Sequence, residues 1–370
     1  MIDVRAIQEL ATKYDVPFED ALFTSLNISG VDFECGYDRM RTQLRLNNNQ
    51  LFEYAIKKGD LEYYLAMPVL HTSPFKIRHD QLFLGADKIG DTLGATEDQC
   101  NSHYVRRNAT AININTNLRT NCRGCKFCYT AYQVSNGEHR LTSVEDFNNF
   151  FEGIMVKYSL NDLASIHQLS VVTGCYLMTD ELVETLVNLK TSATGYSFKG
   201  RIFYLGSQLA NPTVLESLRD IKPFGLTFSV EVFERRDILR RNKRAISLSQ
   251  VKETLSAAKE LGFNASIAYV LGLESLDVVE KYFTMFKDYT NKFPTINTLQ
   301  VHRQQLNTGL EVDGANRLEY YLKARKSLEK IFKDTAMRPL VWENYRGLWF
   351  LKFANEELFG CRFPEPPASF

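Results

Sequence analysis

Residues 247–271, with the sequence SLSQVKETLSAAKELGFNASIAYVL, contain one complete helix-to-strand unit. Ser247 and, three residues later, Gln250 fit a capping box, which marks the start of a helix. The apolar residues that follow share one helical face: Val251, Leu255, Ala258 and Leu261. Gly262 stands where a helix ends, and the apolar run Ser266–Leu271 then reads as a buried strand. The stretch therefore predicts a helix followed by a strand.

The same alternation recurs from about residue 108 onward. The strand candidates are Thr110–Asn115, Gln168–Thr173, Arg201–Leu205, Leu226–Glu231, Ser266–Leu271 and Thr298–Arg303. A second capping box, at Thr142–Glu145, starts one of the intervening helices. Strands that alternate with helices predict parallel βα units, in either an open doubly wound sheet or a barrel. No Gly-x-Gly-x-x-Gly follows the first strand, which disfavours dinucleotide binding.

The flanking regions give weaker patterns. Residues 1–100 contain apolar residues near helical spacing, including the run Met40–Met67, with one short strand at Gln81–Gly85 and a linker near Gly90. The predicted fold is α/β, a partial (β/α)6 TIM-type barrel with a mainly helical N-terminal extension. The predicted domains are an extension at 1–107, the barrel at 108–310, and a C-terminal helical and strand extension at 311–370.

Composition restricts the class of protein. The chain has 370 residues, and its 44 basic and 44 acidic residues cancel, so no overall field attracts nucleic acid or an anionic membrane. The first ten residues include Asp3, Arg5 and Glu9, unlike a signal peptide, and no window offers eighteen apolar residues for a spanning helix. Seven cysteines, an odd and sparse number, fit a reducing compartment. We therefore expect a cytoplasmic protein whose partner is not a nucleic acid or a membrane.

Three of those cysteines lie within Asn121–Tyr129, NCRGCKFCY. Thiolates are soft ligands for zinc, copper(I) or iron–sulfur clusters. A structural zinc site needs a fourth Cys or His, and the chain has no second Cys-x-x-Cys to supply it. A four-iron cluster can instead be held by three thiolates with one iron left for an outside ligand, so the cluster interpretation is favoured over zinc.

The segment Thr116–Tyr132, TNLRTNCRGCKFCYTAY, resembles the cluster loop of the radical S-adenosylmethionine (SAM) enzymes. The resemblance implies that Cys122, Cys125 and Cys128 hold a [4Fe–4S] cluster whose fourth iron binds SAM, and that Phe127 lies near the adenine. The spacing here is Cys-x2-Cys-x2-Cys, one residue shorter than the family's usual Cys-x3-Cys-x2-Cys.

Later strand ends extend the resemblance as far as about Gln305. It implies further SAM contacts at Thr173, Gly174, Glu231, Arg240, Arg244, Gly272 and His302. Glu231 would accept the ribose hydroxyls, and one arginine, Arg244 ahead of Arg240, would clamp the methionyl carboxylate. Most of the basic run Arg235–Arg244 is expected to be solvated.

The resemblance also implies a reaction, in which SAM is cleaved to methionine and a 5′-deoxyadenosyl radical that takes a hydrogen atom from a small metabolite. An amino acid, a sugar or a nucleoside in specialised biosynthesis is the expected substrate class, with a flavodoxin- or ferredoxin-like protein as the one-electron donor. Cys175 is a candidate hydrogen donor and Cys361 a second, although free cysteines are often simply buried. The alternatives are modification of a peptide or RNA, or a non-catalytic zinc or iron–sulfur module.

Overall fold

The computed structural model describes residues 2–46, 61–98, 104–106, 111–116, 122, 124–129, 141–172, 176, 178–306, 308–340 and 346–358. Its elements form an N-terminal sheet, a larger parallel sheet and a C-terminal segment that contacts both. None of the helices in the described ranges is both long and apolar enough to cross a membrane.

The N-terminal unit begins with two helices and continues as an antiparallel sheet. Its elements are α1 (Val4–Lys13), α2 (Phe18–Ser29), β1 (Arg39–Leu46), β2 (Leu61–Pro68), β3 (Phe75–Arg78), β4 (Gln81–Leu84) and β5 (Asp87–Glu97). The strands are hydrogen-bonded in the order β2-β1-β5-β4-β3. The buried side chains of this sheet and of α2 form one apolar core.

The prediction of a mainly helical N-terminal extension is therefore wrong for the described residues, although the strand near Gln81 is confirmed. Met40, Leu44 and Leu46 lie at even positions of β1 and belong to the N-terminal core, as the two-residue period of a strand requires. At odd positions of the same strand, Arg39 and Arg41 are buried in ion pairs with Asp98. The antiparallel pairing of β1 with β2 supplies the long-range ladder that a local helical interpretation could not foresee. Gly90, taken as part of a linker, lies inside β5, where a Cβ would come within 2.3 Å of the Arg45 carbonyl oxygen.

The second sheet carries the parallel strands. It contains β6 (Tyr104–Arg106), β7 (Ala111–Ile114), β8 (Gln168–Val171), β9 (Arg201–Gly206), β10 (Phe224–Glu231), β11 (Asn264–Leu271) and β12 (Thr295–Thr298). The order is β12-β11-β10-β9-β8-β7-β6. All neighbours from β7 to β12 are parallel, and only β6 is antiparallel to β7. Six parallel strands in sequential order form the half-barrel that the alternation predicted.

Helices connect the parallel strands. They are α3 (Val144–Tyr158), α4 (Thr179–Gly195), α5 (Pro212–Glu216), α6 (Arg241–Ala245), α7 (Leu248–Glu260) and α8 (Leu276–Phe286). Both predicted helix starts are confirmed, because Ser247 and Gln250 form a reciprocal capping box and Ser143 forms one with Asp146, one residue later than predicted. Gly262 ends α7 with φ +75°. The apolar faces of these helices pack on the sheet in one continuous core.

The C-terminal segment is built on α9 (Leu318–Phe332) and a short hairpin of β13 (Lys352–Phe353) and β14 (Glu356–Glu357). It is bound to the N-terminal unit through a buried ion pair. Arg325 donates from Nη1 to Oδ2 of Asp20 at 2.6 Å and from Nε to Oε1 of Glu329 at 2.8 Å. Leu318 and Phe350 of this segment also pack in the N-terminal core. The predicted domain boundaries at 107 and 310 remain a proposal.

Candidate cysteine-loop site

The cysteine loop lies over the carboxyl ends of the parallel strands. Cys125 and Phe127 pack on an apolar cluster that follows those ends and includes Val232, Leu273 and Leu299. The N–H of Lys126 donates to the carbonyl of Ile238 at 2.9 Å. The loop after β7 therefore rests on the loop after β10, at the end of a βα barrel where chemistry is usually located.

Cys125 is half-buried, and burial raises the pKa of its thiol to about 11, with the positive charge of Lys243 acting in the opposite direction. The backbone N–H of Arg240 donates to Sγ of Cys125 at 3.4 Å. Cys128 is close enough for its charge to raise the pKa of Cys125 as well. An N–H aimed at a sulfur is the kind of contact that stabilises a metal-bound thiolate.

Gly124 allows the loop to approach this closely. Its φ is +111°, a conformation that L side chains rarely adopt, and a Cβ there would lie 3.1 Å from Cβ of Arg240. The backbone conformation of the loop between Cys122 and Cys125 is therefore one that favours glycine at position 124.

The donor set fits an iron–sulfur cluster, because three thiols on one short loop are soft ligands of the required kind. Within the described residues, no group of three or more His, Cys, Asp or Glu side chains is already arranged to hold a metal ion. The thiols of Cys122, Cys125 and Cys128 would therefore have to converge when a cluster is assembled on the loop.

Glu231 occupies the end of β10 in an unusual conformation. Its φ is +65°, next to an irregularity in the register with β11. Its carboxylate accepts from Nζ of Lys243 at 2.9 Å, with side chains 14% and 7% exposed respectively. Sequence reasoning missed Lys243, because in a run of six basic residues nothing local marks which one is buried. Arg244, the preferred carboxylate clamp, is exposed, whereas Arg240 is half-buried beside the cysteine loop.

Two other members of the basic run are structural rather than solvated. The Arg235 guanidinium donates to the carbonyls of Leu273 and Leu310 at 2.7 and 2.6 Å. The Arg236 guanidinium donates to four carbonyls, those of Val230, Val232, Lys243 and Ile246. These bonds stabilise the loop that carries Arg240. Of the six basic residues only Arg241 and Arg244 are exposed, so the expectation of a mostly solvated run is wrong.

Glu274 is a second residue that sequence reasoning missed. Its buried carboxylate accepts hydrogen bonds from three successive backbone N–H groups, at Phe233, Glu234 and Arg235, and from the Tyr269 hydroxyl. It thereby ties the end of β11 to the loop after β10.

Gly272, predicted to contact SAM, lies where two side chains approach its Cα closely. Its φ is +113°, and a Cβ would come within 2.7 Å of the Tyr321 hydroxyl oxygen and 2.9 Å of Cβ of Leu299. A glycine is required there for packing, and its role toward SAM remains a proposal.

His302 lies beyond the last strand and not within it, because β12 ends at Thr298 and the predicted strand to Arg303 was placed too late. The ring is buried and stacks on Tyr129 of the cysteine loop, with centroids 4.3 Å apart. Burial and the charge of Arg39 lower the pKa of His302 to about 3. The structure therefore brings His302 to the cysteine loop as a neutral imidazole.

Four sequence-predicted residues lie outside the described residues. They are Thr173, Gly174, Cys175 and Cys361. Their assigned roles, including hydrogen donation by Cys175, remain proposals.

The Radical SAM superfamily model matches residues 122–285, a segment that begins at the first cysteine of the loop and covers β8 to β11. This part of the chain is a radical SAM domain. The superfamily consists of enzymes that use a [4Fe–4S] cluster and SAM, so the expected enzyme class and both expected cofactors are supported.

Two solved structures align with parts of the chain at low identity. The Streptococcus suis SuiB structure bound to S-adenosylmethionine aligns at 13% identity and a TM-score of 0.37, over 57% of this chain and 44% of that one. A second SuiB structure aligns at 12% identity and a TM-score of 0.38, over 61% of this chain and 46% of that one. The aligned part spans less than half of each SuiB chain. No curated protein matches the sequence.

Proposed function

We propose that the chain is a radical SAM enzyme that acts on a small metabolite. The observation that carries this proposal is the docking of the cysteine loop at the strand ends, with the Arg240 N–H directed at Sγ of Cys125. Cys122, Cys125 and Cys128 would hold the cluster. When bound, the cluster and SAM would supply a 5′-deoxyadenosyl radical that removes a hydrogen atom from the substrate.

The chain's own residues position that chemistry. Glu231 is proposed to accept the SAM ribose hydroxyls, and binding of SAM would then compete with the bond from Lys243 for the same carboxylate. Lys243 joins Arg240 as a candidate for the methionyl carboxylate, because it is a buried cation paired with Glu231 at this end of β10. The apolar residues around Phe127 would exclude water from the reactive carbon.

Anaerobic reconstitution with iron and sulfide tests the proposal. The protein should acquire a brown chromophore, and with SAM and a strong reductant it should release 5′-deoxyadenosine. Full iron loading without that product would instead favour a non-catalytic iron–sulfur module.

The distribution of charge supports a small metabolite over RNA as the proposed substrate. A neutral net charge gives no overall attraction for RNA. Arg235 and Arg236, which an RNA-modifying enzyme would present on its surface, donate to backbone carbonyls. The one-electron donor is proposed to be a flavodoxin- or ferredoxin-like protein. Transfer of deuterium from labelled metabolites into 5′-deoxyadenosine would identify the substrate.

A further inference from the structure

A buried polar run continues from the last parallel strand. Thr298, Gln300 and His302 alternate along it, so their side chains lie on one side of an extended segment. Each has a buried atom without a hydrogen-bond partner: Oγ1 of Thr298, Oε1 of Gln300 and Nε2 of His302. Nδ2 of Asn27, on the facing helix α2, is likewise without a partner. Buried polar atoms of this kind are rare and require an explanation.

A backbone carbonyl fixes the orientation of both amides. Gln300 donates from Nε2 to the carbonyl of Ala66 at 2.7 Å, and since a carbonyl only accepts, the amide nitrogen must face it. The same nitrogen donates to Oδ1 of Asn27 at 3.1 Å. Oε1 of Gln300 is therefore a true acceptor without a partner, and Nδ2 of Asn27 a true donor.

A second backbone carbonyl fixes the tautomer of His302. Gln305 donates from Nε2 to the carbonyl of Lys126 at 3.1 Å, so Oε1 of Gln305 faces the histidine. Nδ1 of His302 lies 3.1 Å from that oxygen and must carry the proton. Because the imidazole is neutral, Nε2 presents a lone pair.

These atoms lie where three parts of the molecule meet. Ala66 belongs to β2 of the N-terminal sheet, and Asn27 to α2. On the other side, Tyr129, the residue after Cys128, stacks on His302. The run therefore lies between the N-terminal unit and the cysteine loop, which is proposed to hold the cluster.

We propose that Asn27, Thr298, Gln300 and His302 form a subsite for the hydroxyl groups of the substrate. The subsite offers two acceptors, Oε1 of Gln300 and Nε2 of His302, and one donor, Nδ2 of Asn27. The Thr298 hydroxyl can donate or accept. This set matches a polyol, because each hydroxyl of a polyol can both donate and accept a hydrogen bond. An ammonium group is disfavoured, because the positive charges of Arg39 and Arg346 act on the His302 ring more strongly than the negative charge of Asp98 does. This narrows the proposed metabolite to a hydroxylated, sugar-like compound, and calling it the substrate rests on the proposed function.

The first test uses stability. Thr298→Val removes a hydroxyl that has no partner, so Tm should be unchanged or higher. The matched control is Thr254→Val, which removes a buried hydroxyl that donates to the carbonyl of Gln250 at 2.7 Å and should lower Tm. An equal fall in Tm for both variants would show that Thr298 is structurally satisfied and would overturn the assignment.

The second test uses His302 itself as the reporter, in full-length protein labelled with ¹³C and ¹⁵N at histidine and assigned with His302→Gln. The probes are glycerol and, at matched ionic strength, methylammonium chloride. Glycerol should shift the His302 ring resonances saturably, Thr298→Val should reduce that shift at least several-fold, and methylammonium should have no effect. A protonated Nε2, no response to glycerol, or a response to methylammonium would overturn the proposal.

Failure of the hydroxyl subsite can be distinguished from failure of the proposed function when iron content and 5′-deoxyadenosine release are measured on the same preparation. No glycerol response in protein that cleaves SAM overturns the hydroxyl subsite and leaves the proposed function standing. A saturable response in iron-loaded protein that never cleaves SAM supports the subsite and overturns the proposed function.

Discussion

The backbone N–H of Arg240 lies 3.4 Å from Sγ of Cys125, so the loop after β10 is in direct contact with the loop after β7. Glu274, bonded to the backbone from Phe233 to Arg235, stabilises the first of these loops. Cluster assembly on the second loop should therefore depend on both the thiols and the backbone that supports them.

Cys125→Ala should abolish the iron–sulfur chromophore, because it removes one of three thiolate ligands. Iron and sulfide content after anaerobic reconstitution, together with the visible spectrum, measure the effect. The matched control is Cys35→Ala, since Cys35 is a half-buried free thiol that packs against the N-terminal core. Unchanged iron content in Cys125→Ala would contradict the assignment of the loop.

Gly124→Ala should reduce iron loading several-fold and destabilise the fold by about 1–2 kcal/mol, because a side chain at φ +111° is strained and meets Arg240. Chemical denaturation and iron content would be compared with Gly153→Ala. Gly153 lies in α3 with open space around its Cα, so alanine there should add roughly 0.5–1 kcal/mol. Normal loading in Gly124→Ala would show that the loop does not need this backbone angle.

Lys243→Met should cost about 1–3 kcal/mol, because it leaves the partly buried carboxylate of Glu231 without its ion-pair partner. The free energy of unfolding from urea denaturation measures the loss. Arg244→Met, at the exposed neighbouring position, should stay within about 0.5 kcal/mol of the wild type. The double variant Lys243→Met/Glu231→Gln should recover part of the loss, and no recovery would contradict a pairwise interaction.

His302 should make the protein sensitive to acid. Burial and the charges of Arg39 and Arg346, opposed by Asp98, lower its pKa from 6.5 to about 3. As pH falls, the histidine therefore binds its proton in the unfolded chain before it does so in the folded protein. The stability that this group contributes is present above pH 6.5 and is lost as pH falls toward 3. The free energy of unfolding should fall by about 1.4 kcal/mol per pH unit in this window.

Urea denaturation between pH 7 and pH 4 checks this dependence. His302→Gln should flatten the slope, whereas His79→Asn, at an exposed position with φ +49°, should leave it unchanged. Equal slopes of unfolding free energy against pH in the wild type, His302→Gln and His79→Asn would contradict a lowered pKa for His302.

Arg325→Met should destabilise the chain by about 3–5 kcal/mol, because Asp20 and Glu329 would lose their shared buried cation. Lys13→Met, which removes an exposed ion pair with Glu319, should change the free energy of unfolding much less than Arg325→Met does, because solvent screens exposed ion pairs. Limited proteolysis would show whether the N-terminal unit is released first. Equal stability of the two variants would contradict a structural role for the buried network.

The sequence alone determined the βα alternation, the capped helix starts and the three-cysteine loop. These are local properties. A capping box needs only residues three apart, and a strand shows its period within four to eight residues. The spacing of the three cysteines is likewise visible within one short loop. Only the tertiary structure decided that Arg39–Leu46 and Leu61–Pro68 pair as strands, that Lys243 rather than Arg244 is buried against Glu231, and which nitrogen of His302 carries the proton. The last of these depends on a carbonyl at Lys126, 179 positions from Gln305, and no local pattern encodes a contact at that separation.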